Sequence, residues 1–462
     1  MKIVILSASP KNENSVTLQV GKLIEKMSQF SVKDEFTELL IGNGKYTEEI
    51  GEKIKQADLV MFCSSLFHFS VPQQLMLFLN SVEENIGNEI QGKPVTYFTT
   101  SSQLMDTEAH SYMQKRLKRM GVLYIRGLSL LDVDILEEEG REKVGNWYHY
   151  VRSYVLKQNE KFKNSNSQIV LLDATDGTNM KINNSIEKAK KYFENVGAGK
   201  IIQIALKDYK INQCQACSYC YADEKCIFKD DFEPLCDKIY KNTDIIITFG
   251  ELQDGLLGPI HKVWLDRHVK FGLHPLENEI IYAYMVDMQN AKDGDKYALD
   301  VHEKALTNFN KDYYMGICDI NNEKQVEYYY EDIIKTYNYE LYPQTNYYSR
   351  GTFFIFKSIA WTIQKFAPKN FKYYSKNNGY KLPEPNINIQ SFSDYKGAIQ
   401  VSKNRLIPYK MVLESLKQDC SLQTERRKNN SWNKQEDVSL QKYEPKIGFF
   451  AKLLAKFKNK KK

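Results

Sequence analysis

The feature that most constrains this sequence is an order of strands and helices that occurs twice. The chain opens with a short apolar run at residues 2–6, followed by a hydroxyl-rich loop and a helical pattern. The same order returns at Ile169–Leu172, again with a polar loop and a helix behind it. Strands alternating with helices of this length predict parallel, doubly wound α/β sheets. A repeat of about 165 residues is too long for a solenoid, so we predict two tandem domains of ordinary size.

Later segments of the two halves also correspond. Ala57–Phe62 matches Thr243–Thr248, and Val71–Leu79 matches Leu257–Leu265. We therefore predict an α/β fold with two doubly wound parallel sheets and a mostly helical or irregular, basic C-terminal extension. The predicted limits are residues 1–165, 166–340 and 341–462.

The loop after the first strand has the residue types that hold a phosphate group. Short hydroxyl and amide side chains stand directly before a helix, and a lysine adds positive charge. Backbone N–H groups, hydroxyls and a helix N-terminus bind phosphate dianions well, and FMN presents such a group. An ordinary N-capped helix entrance is the alternative interpretation. The order of strand, loop and helix favours FMN, with the candidate residues Ser9, Lys11, Asn14, Ser15 and Thr17.

Two further segments are candidates for contact with the flavin ring. In flavodoxin-like sheets FMN lies at the switch point beyond the carboxyl ends of the first and third strands. The loop after the third strand is aromatic and apolar, and hydroxyl residues follow the fourth strand. A satisfied loop histidine is the alternative for His68. The candidate ring contacts are Leu66, Phe67, His68, Phe69, Thr100 and Ser101.

The second half departs from this pattern at its first loop. Asp173 and Asp176 place two carboxylates where the FMN phosphate would lie, and no lysine stands among residues 173–179. Like charges brought close in a poorly solvated loop cost free energy. We therefore expect the second half to keep the sheet and to lack FMN. Its loop at Gly250–Gly258 is also acidic and rich in glycine.

Four cysteines are clustered within thirteen residues and are followed by Asp230–Asp231. Cysteines on such short spacings hold iron–sulfur centres, although the last interval is five residues rather than the three of the bacterial ferredoxin run. A zinc site would more often use separated pairs or histidines. A reduced, metal-free loop is also possible from the spacing. We predict a four-iron four-sulfur cluster on Cys214, Cys217, Cys220 and Cys226.

These motifs together resemble a known family. Both halves are similar to the flavodoxin-like NADPH-dependent FMN reductase superfamily, and the second half resembles its iron–sulfur flavoprotein branch, over about residues 1–340. The resemblance implies FMN in each competent domain, NAD(P)H as electron donor and two-fold dimers. It also implies that the cluster of one subunit lies near the flavin of another, an arrangement that a pseudo-dimer within one chain would reproduce. Asp266–Arg267 matches a family pair, which we expect to be a structural ion pair.

Composition excludes several other classes. No apolar run reaches the 18 or so residues that span a membrane, and no signal peptide precedes the first strand. Clustered rather than dispersed cysteines suit a reducing cytoplasm. The net charge is +6, but residues 421–462 contain twelve Lys/Arg and four Asp/Glu, so the rest of the chain balances at −2. A basic tail of this kind argues against a nucleic-acid surface on the α/β domains.

The last residues of the chain predict a surface contact. At residues 446–462, five apolar side chains fall on one helical face with lysines opposite, a pattern typical of a helix lying in the membrane surface. A helix docked on its own domain, or a solubilising tail, is the alternative. The apolar residues are Ile447, Phe450, Leu453, Leu454 and Phe457.

The sequence as a whole predicts a cytoplasmic oxidoreductase with FMN in its first domain. It would move electrons between NAD(P)H or a reduced carrier and a small-molecule or redox-protein acceptor, with contact to the inner face of the membrane through its tail. In such enzymes the flavin performs the chemistry and the protein binds and orients it, so no catalytic side chain is assigned. The alternatives are a cluster-free flavin or quinone reductase, and a non-catalytic FMN-binding electron carrier.

Overall fold

A computed structural model describes residues 1–101, 106–132, 134–217, 220, 225–268, 279–306 and 313–341, with 368–369 and 371–372. The described residues fall into two compact units. The first contains residues 1–101, 112–132 and 134–144, and the second contains residues 106–111 and 145–341. The domain limits at residues 165 and 340 remain predictions.

The first unit is built on a parallel sheet. Its strands are β1 (Lys2–Ser7), β2 (Glu35–Leu40), β3 (Leu59–Ser65), β4 (Pro94–Ser101), β5 (Leu123–Tyr124) and β6 (Leu128–Leu131). The helices are α1 (Val16–Ser31), α2 (Glu48–Gln56), α3 (Gln73–Ile86), α4 (Thr107–Arg119) and α5 (Glu138–Val155), and α4 and α5 contribute residues to both units. The strand order is β2-β1-β3-β4-β5, with β6 also paired to β4. The pairs are parallel.

The apolar pattern explains why these segments form the core. Residues 3–6 of β1 and 59–63 of β3 are fully buried, as expected of central strands covered on both faces. The helix α1 packs closely on the sheet because Gly21 has no side chain. A Cβ atom there would lie 3.1 Å from Cδ1 of Ile5. The close packing places the N-terminus of α1 directly behind the end of β1.

The second unit repeats this architecture. Its strands are β7 (Gln168–Asp173), β8 (Lys200–Ala205), β9 (Ile245–Glu251), β10 (Ile281–Asp287) and β11 (Tyr313–Asp319). Its helices are α6 (Met180–Asn195), α7 (Phe232–Tyr240), α8 (Gly258–Arg267), α9 (Asp295–Leu306) and α10 (Glu323–Asn338). The strand order is β8-β7-β9-β10-β11, and the pairs are parallel.

Both sheets therefore have the 2-1-3-4-5 strand order of flavodoxin-like folds. The predicted fold class, with two such sheets, is confirmed. Among the described helices, none combines the length and the apolar character needed to cross a membrane. The predicted surface helix at residues 446–462, like most of the predicted extension 341–462, lies outside the described residues.

Candidate functional site

The loop after β1 folds back so that its polar residues gather at the end of the strand. Ser9 is fully buried, its carbonyl accepts a hydrogen bond from the Asn12 amide at 3.0 Å, and its Oγ lies 3.3 Å from the Lys11 amide. A single 3-10 turn at Asn12–Asn14 leads on to Ser15, whose amide donates to the Asn12 carbonyl at 3.1 Å. The predicted residues of this loop therefore lie together before α1.

The N-terminus of α1 is suited to an anion. Ser15 is the N-cap residue, and its Oγ accepts from the Leu18 amide at 3.4 Å. The first N–H groups of a helix have no partner within it, and the helix dipole is positive at this end. Space beside the loop is narrow, because a Cβ atom on Gly42 would lie 2.5 Å from the Ser9 carbonyl oxygen. A helix N-terminus with hydroxyl neighbours and a lysine therefore fits a phosphate group.

Thr17 and Thr100 are brought together as partners of each other. Their hydroxyl oxygens are 2.6 Å apart, and both side chains are buried. A threonine hydroxyl can donate one hydrogen bond, so one of these two hydroxyls donates to the other. The accepting hydroxyl can still donate its own proton. The bond joins the first turn of α1 to the end of β4. Ser101, the last residue of β4, is 8% exposed.

The aromatic loop after β3 forms a two-residue hairpin turn. Phe67 and Ser70 exchange two backbone hydrogen bonds of 3.0 Å, and between them His68 and Phe69 have φ angles of 48° and 64°. Phe67 and Phe69 are 45% and 57% exposed, whereas Leu66 is half-buried. Two adjacent left-handed residues match a type I′ turn, which favours asparagine, aspartate and glycine.

The second unit contains the same turn with the residues that this geometry favours. Gln253 and Leu256 exchange the equivalent backbone bonds, and the φ angles of Asp254 and Gly255 are 48° and 82°. A non-glycine residue held in the left-handed region costs about 1–3 kcal/mol, and such residues are concentrated at ligand sites. The first unit therefore retains a strained, exposed aromatic turn where the second has a relaxed one.

Cys63 lies in β3, two residues before the end of the strand. The side chain is fully buried, and burial raises the pKa of the thiol to about 12. Since the thiolate is the reactive form of cysteine, Cys63 is a packing residue rather than a nucleophile.

The second unit has an acidic edge where the first is neutral. In the first unit, β1, β3, β4 and β6 end in Ser7, Ser65, Ser101 and Leu131. Four strands of the second unit end in carboxylates, and we call this set the acidic edge. Its members are Asp173 of β7, Glu251 of β9, Asp287 of β10 and Asp319 of β11.

The loop after β7 satisfies its own hydrogen-bond donors. Oδ1 of Asp173 accepts from the amide and the hydroxyl of Thr175, at 2.9 and 2.7 Å. Oδ1 of Asp176 accepts from the amide and the hydroxyl of Thr178, at 2.9 and 2.6 Å. The carboxylates of this loop thus accept hydrogen bonds from its own backbone amides and hydroxyls. In a flavin loop, these donors would face the phosphate.

Asn179 extends this arrangement to the strand ends. Its Oδ1 caps α6, while its Nδ2 donates to Glu251 and, at 3.1 Å, to Oδ2 of Asp287. Burial opposes ionisation of Asp287, but hydrogen bonds from Asn321, from the Gln289 amide and from Asn179 lower its pKa below the ordinary range. An ionised carboxylate at this position repels a phosphate dianion. The loop before α6 therefore differs from the loop before α1 in its charge, and the absence of FMN from the second half stays a prediction.

The cysteine loop (residues 213–229) leaves the second sheet after β8. Cys214 and Cys217 are exposed, and Cys220 and Cys226 are half-buried. Burial, followed by the neighbouring Cys226, Cys214 and Cys217, raises the pKa of the Cys220 thiol to about 11. Within the described part of the chain, no group of three or more His, Cys, Asp or Glu side chains is arranged to hold a metal ion. The sulfur atoms do not form a metal cage in this conformation, and the cluster remains a prediction.

Asp266 and Arg267 belong to two separate ion pairs. Asp266 pairs with Lys262 on the surface of α8, one turn away. Arg267 is buried and forms a bidentate pair with Asp230, with N–O distances of 2.9 and 3.2 Å. The role of Asp230 was missed in the sequence, although its position four residues after the last of the four cysteines was a usable signal.

One family of known proteins matches the segment that contains the first parallel sheet. Residues 1–132 match the family model described as NADPH-dependent FMN reductase. The predicted enzyme class is confirmed: the chain carries an oxidoreductase module over this segment. No curated protein sequence matches the chain.

Similar solved structures include three flavoproteins. Flavodoxin 2 from Bacillus cereus has 23% identity, a TM-score of 0.27, and coverage of 33% of this chain and 99% of its own. The flavoenzyme NAD(P)H:(acceptor) oxidoreductase FerB from Paracoccus denitrificans has 16% identity, a TM-score of 0.26, and coverage of 33% and 94%. General stress protein 14 from Treponema denticola, in complex with FMN, has 12% identity, a TM-score of 0.25, and coverage of 34% and 98%.

Proposed function

We propose that this protein is an FMN-dependent oxidoreductase that transfers electrons between NAD(P)H, or a reduced carrier, and an acceptor. FMN binds the first unit only. The observation that carries the proposal is the contrast between two equivalent loops. The loop before α1 presents hydroxyls, a lysine and a helix N-terminus, whereas the loop before α6 fills its donors with its own carboxylates.

The residues of the first unit fit the parts of FMN in order. Ser9, Asn14 and Ser15 lie around the α1 N-terminus and would hold the phosphate, with Lys11 supplying charge. The exposed turn at residues 67–70 would hold the ring. Bound FMN supplies the electron-transfer chemistry, and the protein binds, orients and tunes it.

Flavin stoichiometry and turnover of the full-length protein test this proposal. We expect one FMN per chain and steady oxidation of NADH or NADPH when an artificial acceptor such as a quinone is added. Two FMN per chain would contradict the assignment of FMN to the first unit. Stoichiometric FMN without NAD(P)H oxidation would instead favour a non-catalytic electron carrier.

The finer proposal is that Cys214, Cys217, Cys220 and Cys226 bind a four-iron four-sulfur cluster. Their spacing supports it. Protein reconstituted anaerobically should contain iron and acid-labile sulfide. Cys236 is buried in α7, so Cys236→Ala should keep the iron and serves as the matched control. Absence of iron after reconstitution would leave a cluster-free flavin or quinone reductase.

The partners and the location are further proposals. A small molecule or a redox protein would accept the electrons, and a cluster and a flavin in one chain would give the pseudo-dimer arrangement. We also propose a cytoplasmic protein that reaches anionic lipid through residues 446–462. Co-sedimentation with anionic vesicles should be stronger for the full-length protein than for a protein ending at Tyr443. Equal sedimentation of the two at low salt would exclude the tail as the anchor.

A further inference from the structure

The cysteine loop is closed at its base by backbone and side-chain hydrogen bonds. We call this base the neck, and it consists of residues 210–212 and 230–231. The Lys210 amide donates to Oδ2 of Asp231 at 2.7 Å, and the Asp231 amide donates to the Lys210 carbonyl at 3.2 Å. The Asn212 amide and Nδ2 donate to Oδ2 of Asp230 at 2.8 and 3.0 Å. The two ends of the cysteine loop are therefore fixed to each other.

Arg267 reaches the neck from α8 and joins both of its sides. Its Nη1 donates to the Asn212 carbonyl and to Oδ2 of Asp230, each at 2.9 Å, and Nη2 donates to Oδ1 of Asp230 at 3.2 Å. The guanidinium carbon lies 4.5 Å from the ring centroid of Phe232 and 5.2 Å from that of Phe228. A planar fork held by a carboxylate and two rings has little freedom to move.

Burial of the Arg267–Asp230 ion pair costs free energy. The Arg267 and Asp230 side chains are 1% and 3% exposed, and removing two charges from water carries a large desolvation penalty. Nε of Arg267 is also buried and makes no hydrogen bond to a described residue. The Lys262–Asp266 pair on the same helix is 43% and 45% exposed and carries no such penalty.

The positive charge of Arg267 also acts on two of the four cysteines. Cys226 and Cys214, one on each side of the neck, both interact electrostatically with the guanidinium. Thiolates must be ionised to bind a metal, so a fixed positive charge near them offsets part of their mutual repulsion. Residues that orient the ligands of a metal, without binding the metal themselves, change the metal affinity by about 10- to 100-fold.

We propose that Arg267 is the positioning residue of the cysteine loop. It clamps the neck through Asp230 and Asn212, and it holds a positive charge beside Cys214 and Cys226. The two ends of the loop are thereby held together, which favours the binding of one soft, thiophilic metal centre by its cysteines. This inference rests on the proposed metal-binding role of the cysteines, but the clamp itself is measurable without iron, flavin or turnover.

The first test measures opening of the neck in the full-length protein. Lys225 and Lys229 are exposed within the cysteine loop, so trypsin cleavage after them reports how often the loop opens. We expect Arg267→Met to speed cleavage at these sites by about tenfold or more, because it leaves Asp230 buried without its cation. Asp266→Asn, one residue away, should leave the rate unchanged. Equal rates in wild type and Arg267→Met would overturn the clamp.

The second test measures metal binding by absorption, with Co²⁺ alone as the probe. Thiolate coordination gives Co²⁺ an intense charge-transfer band, and we expect Arg267→Met to weaken Co²⁺ binding by about tenfold. Arg267→Lys keeps the charge and loses the fork, so it should show fast cleavage and a smaller loss of affinity. If Arg267→Met does not fold, the Arg267→Lys and Asp230→Asn variants decide by the same two measurements.

The two proposals fail in different ways. If the wild type binds neither Co²⁺ nor iron, while Arg267→Met still opens faster than Asp266→Asn, the metal role is wrong and the clamp stands. If the wild type binds metal and Arg267→Met matches it in cleavage rate and Co²⁺ affinity, the clamp is wrong and the metal role stands.

Discussion

The hydroxyl oxygens of Thr17 and Thr100 lie 2.6 Å apart in the buried interior of the first unit. This bond ties the N-terminus of α1 to the end of β4, two strands away from β1 in the sheet. Both ends belong to the candidate flavin site. The position of the proposed phosphate site is therefore coupled to the end of β4, where Thr100 and Ser101 are the predicted ring contacts.

Thr17→Val should loosen this coupling. Valine has the same shape but leaves the Thr100 hydroxyl buried without its partner, which costs about 1–3 kcal/mol. We expect the first unit to unfold at lower urea concentration and FMN to bind less tightly. Thr17→Ser keeps the hydroxyl and should retain most of both properties. Unchanged urea midpoints in Thr17→Val would contradict a structural role for the bond.

Ser15→Asp should separate helix stability from FMN binding. Aspartate is as good an N-cap residue as serine, so α1 should remain intact. Its carboxylate, however, would face the phosphate dianion, and FMN should be lost. Ser15→Asn, a neutral N-cap, is the control and should keep FMN. Flavin absorbance after gel filtration, together with thermal unfolding, checks both expectations; retention of FMN by the aspartate variant would place the phosphate elsewhere.

The strained turn after β3 predicts a trade between stability and flavin affinity. His68→Asn with Phe69→Gly gives the turn residues that suit its φ angles, so stability should rise by about 1 kcal/mol. Loss of the exposed Phe69 ring should weaken FMN binding by about fivefold, the equivalent of an aromatic contact of about 1 kcal/mol. Urea unfolding and fluorescence titration with FMN measure the two effects.

The equivalent turn of the second unit gives the matched control. Gly255 has a φ of 82°, and a Cβ atom there would lie 2.8 Å from that of Ala298. Gly255→Ala should therefore destabilise the second unit by about 1 kcal/mol without changing FMN affinity. A loss of FMN in Gly255→Ala would argue against the assignment of the flavin to the first unit.

Asp230 predicts a specific loss of stability in acid. Burial alone would raise its pKa, but hydrogen bonds from Arg267, from the Asn212 amide and from the Phe232 amide lower it from the ordinary 3.8 to about 2. A carboxyl with a lowered pKa contributes stability above its unfolded value, and this stability is lost as the pH falls through the folded value. The contribution of Asp230 should therefore disappear between pH 3.8 and about pH 2.

The measurement is urea unfolding followed by tryptophan fluorescence across this pH range. Trp264 packs on Phe232, with ring centroids 5.2 Å apart, so it reports on the elements that carry the neck. Asp230→Asn should be less stable at neutral pH and should lose less stability than the wild type on acidification. Asp266→Asn, on the surface of α8, should follow the wild type. Parallel pH profiles for wild type and Asp230→Asn would show that the carboxylate of Asp230 contributes no stability in this range.

Local patterns were enough to predict the fold and the contrast between the two halves. Apolar runs mark β1 and β7, and the helical patterns behind them define the doubly wound sheets. The carboxylates of Asp173 and Asp176 were visible as an obstacle to phosphate because they lie within one loop. Such features depend only on residues close in sequence.

Local sequence patterns could not predict contacts between residues that are distant in the sequence. Thr17 and Thr100 are 83 residues apart, and they meet only because the strand order places β4 near α1. Arg267, at the end of α8, and Asp230, in the bend before α7, are 37 residues apart, and the sequence alone grouped Arg267 with its neighbour Asp266. The carboxylates at the ends of β9, β10 and β11 likewise become one edge only when the register of the strands is known.

The burial of Cys63, Cys236 and Cys318 makes the cysteine loop chemically distinguishable in the native protein. Burial raises the pKa of the Cys63 and Cys318 thiols to about 12, so alkylating reagents at neutral pH should not modify these two residues. Among the described cysteines, the exposed Cys214 and Cys217 of the loop are then the ones that take up a label. A single reporter dye, located by peptide mass spectrometry at Cys214 and Cys217, can follow occupancy of the loop in the folded protein without removing any cysteine.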